Sequence, residues 1–99
     1  MKIVFSSVFE DDFAEVVGYF ASEVTPELSI RFENQVVETY KLISANPQIG
    51  RLRKDLSQPE IRSLVVGGFE NYILFYQIRK NDVFFVRLLH GARNLPELL

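Results

Sequence analysis

Two stretches in the first half of the chain carry apolar residues at the spacing of an amphipathic helix. From residue 9 to residue 24 they recur at steps of mostly three or four, which places them on one helical stripe. A second stripe runs from residue 28 to residue 43. Thr25 and Pro26 lie between the stripes, and these residues are favoured at the N-cap and at the first helical position. The pattern therefore predicts an antiparallel hairpin of two long helices.

The ends of both helices are also predicted by local sequence. Ser7 and Glu10 fit a capping box, in which a hydroxyl accepts a free backbone N–H and the carboxylate bonds back. The second helix is expected to end near Asn46, because Pro47 disfavours a helical conformation in the residue before it.

Strand-like segments, rich in β-branched and aromatic residues, flank this helical region. They are Lys2–Ser6, Ile61–Val66, Tyr72–Arg79 and Val83–Leu89. Gly67-Gly68 and residues 80–82 supply the turns between the last three segments. Short links of this kind favour an antiparallel meander. The order βααβββ predicts an α+β fold, with a meander sheet packed against the N-terminal helical hairpin in one domain over residues 1–99.

The register of the last hairpin is not determined by this pattern. Simple alternation places Val83, Phe85, Arg87 and Leu89 on one face of the last strand. A three-residue loop would put Arg79 on the same surface as Arg87, whereas a two-residue loop would separate them. A buried and unpaired Arg is costly, so we expect the surface with Arg87 to face solvent or a partner.

Charge and aromatic content add two expectations. Residues 1–46 carry a net charge of −5 and residues 47–99 carry +3. Either the second half presents a surface for a polyanion, or the acidic helical layer faces water. Nine Phe and four Tyr are many for so short a chain. We therefore expect some aromatic side chains to remain exposed as a binding patch.

Several kinds of chemistry are disfavoured or excluded. The chain has no Cys and one His, which excludes disulfides and thiolate sites and disfavours zinc ligation and Ser-His-Asp catalysis. No cofactor or metal site is predicted, and the acids of the first helix, such as Asp11 and Asp12, are interpreted as a solvated face. The first residues turn acidic, and no apolar run approaches about 20 residues, so we expect no signal peptide, no membrane span and a cytoplasmic location.

Cationic side chains are the remaining candidates for binding. Arg presents a planar fork that matches phosphate and carboxylate oxygens. The target-binding candidates are Arg51, Arg53, Arg62, Arg87, His90 and Arg93. Alternatively, each of them pairs with a local carboxylate, as Arg53 could with Asp55.

Four segments together resemble the ParE branch of the RelE/ParE toxin superfamily. They are Asn46 to Arg51 (NPQIGR), Ile61 to Gly67 (IRSLVVG), Tyr72 to Tyr76 (YILFY) and Arg87 to Arg93 (RLLHGAR). No segment is specific alone, but their order and spacing cover nearly the whole chain, and the superfamily fold is also βααβββ. The positions that match the shared pattern are Arg51, Arg62, Tyr76, Arg87, His90 and Arg93, with Tyr76 either core or functional.

The resemblance implies the toxin of a type II toxin-antitoxin system. ParE-like members act on DNA gyrase without being enzymes, whereas RelE-like members cleave mRNA on the ribosome. In the second case Arg87, His90 and Arg93 would form the catalytic set. Nuclease chemistry needs cations and a proton-transferring group, and residues 91–99 contain neither Tyr nor Lys. This departure favours a gyrase inhibitor; a degenerate toxin that binds only its antitoxin is the third alternative.

The resemblance also implies a partner protein. We expect a cognate antitoxin whose amphipathic segment covers an apolar surface of this domain in a toxin–antitoxin hetero-oligomer. The aromatic candidates for that contact are Phe13, Phe20, Phe75 and Phe85.

Overall fold

A computed structural model describes residues 1–91 and residue 99, and in this part the chain forms two helices and five strands. In chain order they are β1 (Lys2–Phe5), α1 (Ser7–Glu23), α2 (Pro26–Ala45), β2 (Arg51–Leu52), β3 (Arg62–Val66), β4 (Phe69–Ile78) and β5 (Asp82–His90). A short 3-10 turn at Pro47–Ile49 follows α2. No helix in the described ranges is long and apolar enough to cross a membrane.

The strands form one sheet in the order β1-β5-β4-β3-β2. Strands β2 to β5 are an antiparallel meander, which confirms the predicted α+β fold. The first strand instead pairs in parallel with β5, with Phe5 opposite Phe85, so the complete sheet is mixed. The short β2 arises inside the predicted connector, because Arg51 and Leu52 pair with the start of β3.

The helix boundaries follow the predicted signals, with one correction. The Thr25 hydroxyl caps α2 by accepting the Leu28 N–H, and Asn46 is the C-cap. The prediction that Ser7 caps α1 is wrong, because Ser6 takes that role and accepts the Phe9 N–H at 2.9 Å. Ser6 also donates to the Val86 carbonyl at 2.7 Å, so one hydroxyl fixes both the helix start and its position on β5.

Each face of the sheet carries a separate apolar cluster. The larger cluster lies between the sheet and the helical hairpin and is aromatic, with Phe9, Phe20, Phe32, Tyr76 and Phe85 among its buried members. The second cluster lies on the opposite face, because successive strand residues point to opposite sides. Its buried residues are Leu56, Ile61, Phe75, Val86, Leu89 and Leu99. The segment after β2 contributes Leu56 and Ile61 to this cluster and so covers part of this face.

A β-bulge changes the direction of side chains along β5. Tyr76 pairs with Phe85 but Phe75 pairs with Arg87, so Val86 is the extra residue. Simple alternation along this strand is therefore a wrong expectation. Phe85 and Leu88 both belong to the helix-side cluster, although three positions separate them. The register places Ile78 opposite Val83, and the Arg79 N–H donates to the Asp82 carbonyl at 2.9 Å, so the hairpin has the two-residue loop Lys80-Asn81. The Arg79 and Asp82 side chains form an ion pair at 2.7 Å.

The Tyr76 hydroxyl fixes the connector between α2 and β3. It donates to the Pro47 carbonyl at 2.6 Å and accepts the Gly50 N–H at 2.9 Å. A Cβ atom on Gly50 would overlap this hydroxyl and lie 2.9 Å from the Ser63 carbonyl oxygen, so a larger residue does not fit. Arg62 donates to the Gly50 carbonyl at 2.8 Å. Tyr76 is therefore a core residue, and its contacts set the place of Arg51.

Replacing Tyr76 by Phe should destabilise the fold without opening a large cavity. The change removes both hydrogen bonds and leaves the Gly50 N–H buried without its partner. We expect the free energy of unfolding to fall by about 2–4 kcal/mol, measured by urea denaturation. The matched change Tyr19→Phe, at a phenol that is 51 % exposed, should alter it by less than about 0.5 kcal/mol. Equal effects of both changes would contradict the assigned role.

Candidate functional site

Arg87 forms a two-pronged ion pair with Asp12. Its Nε donates to Oδ2 of Asp12 at 2.8 Å, and its Nη2 donates to Oδ1 at 2.9 Å. The two side chains are only 17 % and 11 % exposed. The hydrogen bonds from Arg87 to Asp12 raise the pKa of the guanidinium, and the Glu15 carboxylate adds to that effect. Arg87 therefore links β5 to α1 through its ion pair with Asp12.

The same carboxylate stabilises the edge of the sheet. The pairing of β1 with β5 ends at Phe5 and Phe85, so the rest of β5 has no strand on that side. The N–H of Leu88 in that segment donates to Oδ2 of Asp12 at 3.0 Å. Asp12 thus replaces a strand partner, which satisfies a backbone group that would otherwise be costly to bury.

The cations of the connector and of β3 are either bonded to other groups or exposed. Arg53 pairs with Asp55 at 2.7 Å and lies over the Phe75 ring, as the local-pairing interpretation predicts. Its hydrogen bond lowers the pKa of Asp55 to about 2. Arg62 is half-buried and donates to main-chain carbonyls. Arg51, by contrast, is exposed on β2.

His90 lies at the end of β5 and faces the helical side of the sheet. Its ring meets the Tyr72 ring edge-on, with centroids 5.1 Å apart, and the residue is half-buried. Arg93 lies outside the described residues. Of the three residues predicted for a nuclease site, the described two therefore contact different partners: Asp12 holds Arg87, and Tyr72 packs against His90.

The predicted antitoxin-binding aromatics are mostly core residues. Phe75 and Phe85 are fully buried and Phe20 is 8 % exposed, whereas Phe13 is half-buried against the helix-side cluster. Phe does not contribute to the expected patch of exposed aromatic side chains, since every Phe lies within the described part and each is buried or half-buried. Tyr19 is the exposed aromatic side chain. These positions supply core packing, and their role in partner binding stays a prediction.

Asp12 is the site residue that sequence reasoning missed. The prediction that Asp12 belongs with Asp11 to a solvated face is wrong, because its carboxylate contacts Arg87 and the Leu88 N–H. The signal lay in its spacing, because Asp12 follows Phe9 by three residues and precedes Val16 by four. Residues at those separations share one face of a helix, so Asp12 borders the apolar stripe that packs on the sheet. Within the described ranges, no group of His, Asp and Glu has the arrangement of a metal site.

One protein-family model matches nearly the whole chain. The model of the ParE toxin of the type II toxin-antitoxin system parDE matches residues 3–95. Among solved structures, the chromosomal ParDE TA system from P. aeruginosa contains a chain of similar fold. It is 16 % identical, with a TM-score of 0.76, covering 91 % of this chain and 95 % of that one. None of the curated proteins matches by sequence.

A second solved structure gives a weaker match. It is the RelB-RelE antitoxin-toxin complex from Methanococcus jannaschii, at 19 % identity, a TM-score of 0.49 and 89 % coverage of each chain.

Removing the Asp12 carboxylate should destabilise the fold strongly. In Asp12→Ala, Arg87 loses its ion pair and the Leu88 N–H loses its acceptor. We expect the free energy of unfolding to fall by about 2–4 kcal/mol in urea denaturation. Asp11→Ala is the matched control on the preceding, exposed residue, and should change it by less than about 0.5 kcal/mol. Similar losses in both variants would show that helix charge, not this pair, is responsible.

Titration of Asp55 should report its contact with Arg53. We expect a carboxyl pKa of about 2 by carbon NMR, and a return toward 3.8 in Arg53→Gln. Because the folded-state pKa is lowered, the stability contributed by this contact is present above pH 3.8 and lost as the pH falls through 2. An unchanged Asp55 midpoint in Arg53→Gln would contradict the assigned cause.

Proposed function

Because this chain belongs to the family of ParE toxins of type II toxin-antitoxin systems, we propose that it is the toxin of such a pair and inhibits DNA gyrase by binding. A cognate antitoxin, encoded beside it, neutralises it in the cytoplasm within a hetero-oligomer. The target and the antitoxin are the parts of this proposal that experiment must establish.

The ion pair between Arg87 and Asp12 is the observation that supports inhibition by binding rather than cleavage of mRNA. An mRNA interferase needs a cation that faces the negative charge developing on the scissile phosphate. Here Asp12 engages two nitrogens of the guanidinium, and the pair is largely shielded from solvent. Moving Arg87 to a phosphate would leave the Asp12 carboxylate without its cation, which is costly for a mostly buried group. This geometry supports an inhibitor that acts by contact.

The exposed connector is the surface that we assign to the target. Arg51 and Lys54 are both exposed, while Arg53 between them is anchored by Asp55 and Phe75. The Tyr76 hydroxyl further restrains this segment through Pro47 and Gly50. Two solvent-facing cations on a restrained backbone suit an acidic protein surface or a nucleic acid backbone, because little ordering is required on binding.

Induced expression in a bacterial host, with and without the adjacent gene, tests the proposal. We expect growth arrest, induction of the SOS response and DNA breaks covalently linked to gyrase, all suppressed by co-expression of the adjacent gene. Cleaved translated mRNA with intact DNA would overturn the gyrase proposal in favour of an interferase. Absence of any growth defect, with binding to the adjacent gene product retained, would identify a degenerate toxin.

Charge reversal at the connector should reduce toxicity without unfolding the chain. We expect Arg51→Glu with Lys54→Glu to raise the concentration needed for gyrase inhibition by about ten- to hundredfold, because both side chains are exposed. Lys41→Glu, at an exposed cation on α2, is the matched control and should retain toxicity. Thermal unfolding should be unchanged in all variants. Full toxicity of the double variant would place the target surface elsewhere.

A further inference from the structure

The sheet is open along part of β3, beside its shortest strand. β2 covers β3 only through the pairs of Arg51 with Ser63 and of Leu52 with Arg62. Because β2 is the last strand in the sheet order, residues 64–66 of β3 have no strand on that side within the described ranges. We call residues 64–66 the open edge.

Val65 directs its backbone groups toward the open side. In an antiparallel pair, residues that exchange hydrogen bonds alternate with residues that do not. The Arg53 N–H donates to the Ile61 carbonyl at 2.7 Å. The residues two and four positions further along, Ser63 and Val65, therefore point their N–H and C=O groups the same way. Ser63 meets Arg51 there, whereas Val65 has no residue of β2 opposite it, which leaves a donor and an acceptor for a further strand.

Exposed aliphatic side chains flank the open edge. Val65 is 43 % exposed on one face of the sheet. On the other face α2 lies alongside, because the Thr39 hydroxyl accepts the Gly67 N–H at 3.5 Å just after β3. Leu42, three residues after Thr39 and so on the same side of the helix, is 50 % exposed. Ile49, where the connector approaches β2, is also exposed.

Positive charge lies at the β2 end of the open edge. Arg51 is exposed on the face that carries Val65, and Arg62 donates to uncharged carbonyl oxygens of the connector. Asp55 is bonded twice by Arg53, and Arg51 is the smallest of the causes that lower its pKa. This group of side chains therefore keeps a net positive charge, which favours a carboxylate at the end of an added strand.

The combination favours a polypeptide over a nucleic acid as the occupant. A nucleic acid offers phosphates and stacking bases, and bases bind to aromatic rings. The exposed side chains here, Leu42, Ile49 and Val65, are aliphatic. Unpaired main-chain groups between aliphatic side chains are instead the features that an added β-strand uses, the backbone for affinity and alternate side chains for specificity.

From these observations we propose that the open edge takes up an extended segment of the target protein as an added strand. Its apolar side chains would lie beside Val65 and Leu42, and an acidic residue would lie at the end nearest Arg51. The identity of the partner rests on the proposed function, whereas the preference for an acidic and apolar strand rests on the edge alone. Antiparallel addition is expected, because that pairing is slightly the more stable per residue.

Strand addition is tested on the isolated chain by NMR titration with the capped peptide Ac-Thr-Val-Thr-Val-Asp-NH2. We expect saturable shifts of the amides of residues 64–66 and hydrogen exchange at least about tenfold slower at the Val65 N–H. The same peptide N-methylated at both valines, whose N–H groups would face Val65, should bind at least about tenfold more weakly, as should the peptide with Lys in place of Asp. Absence of a saturable shift, or equal binding of the N-methylated peptide, overturns the proposal.

Inhibition of purified gyrase tests the same contact with the proposed target. Val65→Pro removes the outward N–H at an edge position where Pro is tolerated, and Val65→Lys adds a charge of the kind that protects natural edges from pairing. We expect each change to raise the concentration needed for inhibition at least about tenfold. Ile30→Lys, at an exposed aliphatic residue of α2, is the matched control and should stay within about twofold. If thermal unfolding shows that Val65→Pro does not fold, Val65→Lys decides the result.

The outcomes separate failure of the edge contact from failure of the proposed function. Gyrase inhibition that folded Val65 variants leave within about twofold would refute the edge contact and leave the proposed function intact. No inhibition by the unmodified chain would refute the proposed function, and the assignment of the edge to that target with it. Loss of affinity for the adjacent gene product, or of a dimer of this chain, in Val65→Lys with inhibition retained would assign the edge to the antitoxin or to a second copy and overturn the proposal.

Discussion

The Asp12 carboxylate is the constraint on which the arrangement of helix and sheet depends. The first strand covers only the first half of β5, and beyond it the strand edge faces α1. Asp12 accepts the Leu88 N–H there and holds the Arg87 guanidinium. Ser6, at the start of the same helix, donates to the Val86 carbonyl. These two polar side chains, one in α1 and one at its N-cap, thus satisfy backbone groups of β5 that a neighbouring strand would otherwise satisfy. Both contacts lie at or next to the bulge at Val86.

Ion pairs divide the positive charges of the protein into two groups. Arg53, Arg79 and Arg87 each have a carboxylate partner, and the first two also lie over a Phe ring. These side chains act as cross-links between segments. Arg51 and Lys54 remain exposed on a connector whose backbone is restrained. The division explains how a weakly acidic protein keeps a small basic surface at this connector.

Most of the fold follows from periodicity and local signals, whereas the site depends on distant contacts. Both helices, the Thr25 cap and the meander are encoded by patterns a few residues long. The bulge at Val86 is not, because it depends on how β5 meets Ser6 and Asp12, about 75 to 80 residues away in sequence. One extra residue reverses the faces of all that follow it, so alternation places Leu89 on the face of Phe85, where Leu88 packs instead. The burial of the Phe side chains likewise does not follow from composition, which does not tell how well two clusters enclose them.

The parallel pairing of β1 with β5 bears on the order in which the protein is made. Lys2 lies opposite Asp82, so β1 can pair with its neighbour only after the chain has been made as far as β5. Such distant pairing forms late, since the intervening chain must be closed first, whereas the helical hairpin depends on local contacts. A nascent chain that stops before β5 has helices but no completed edge for Asp12 to hold. The sheet edge that Asp12 stabilises is therefore completed only once β5 has been made.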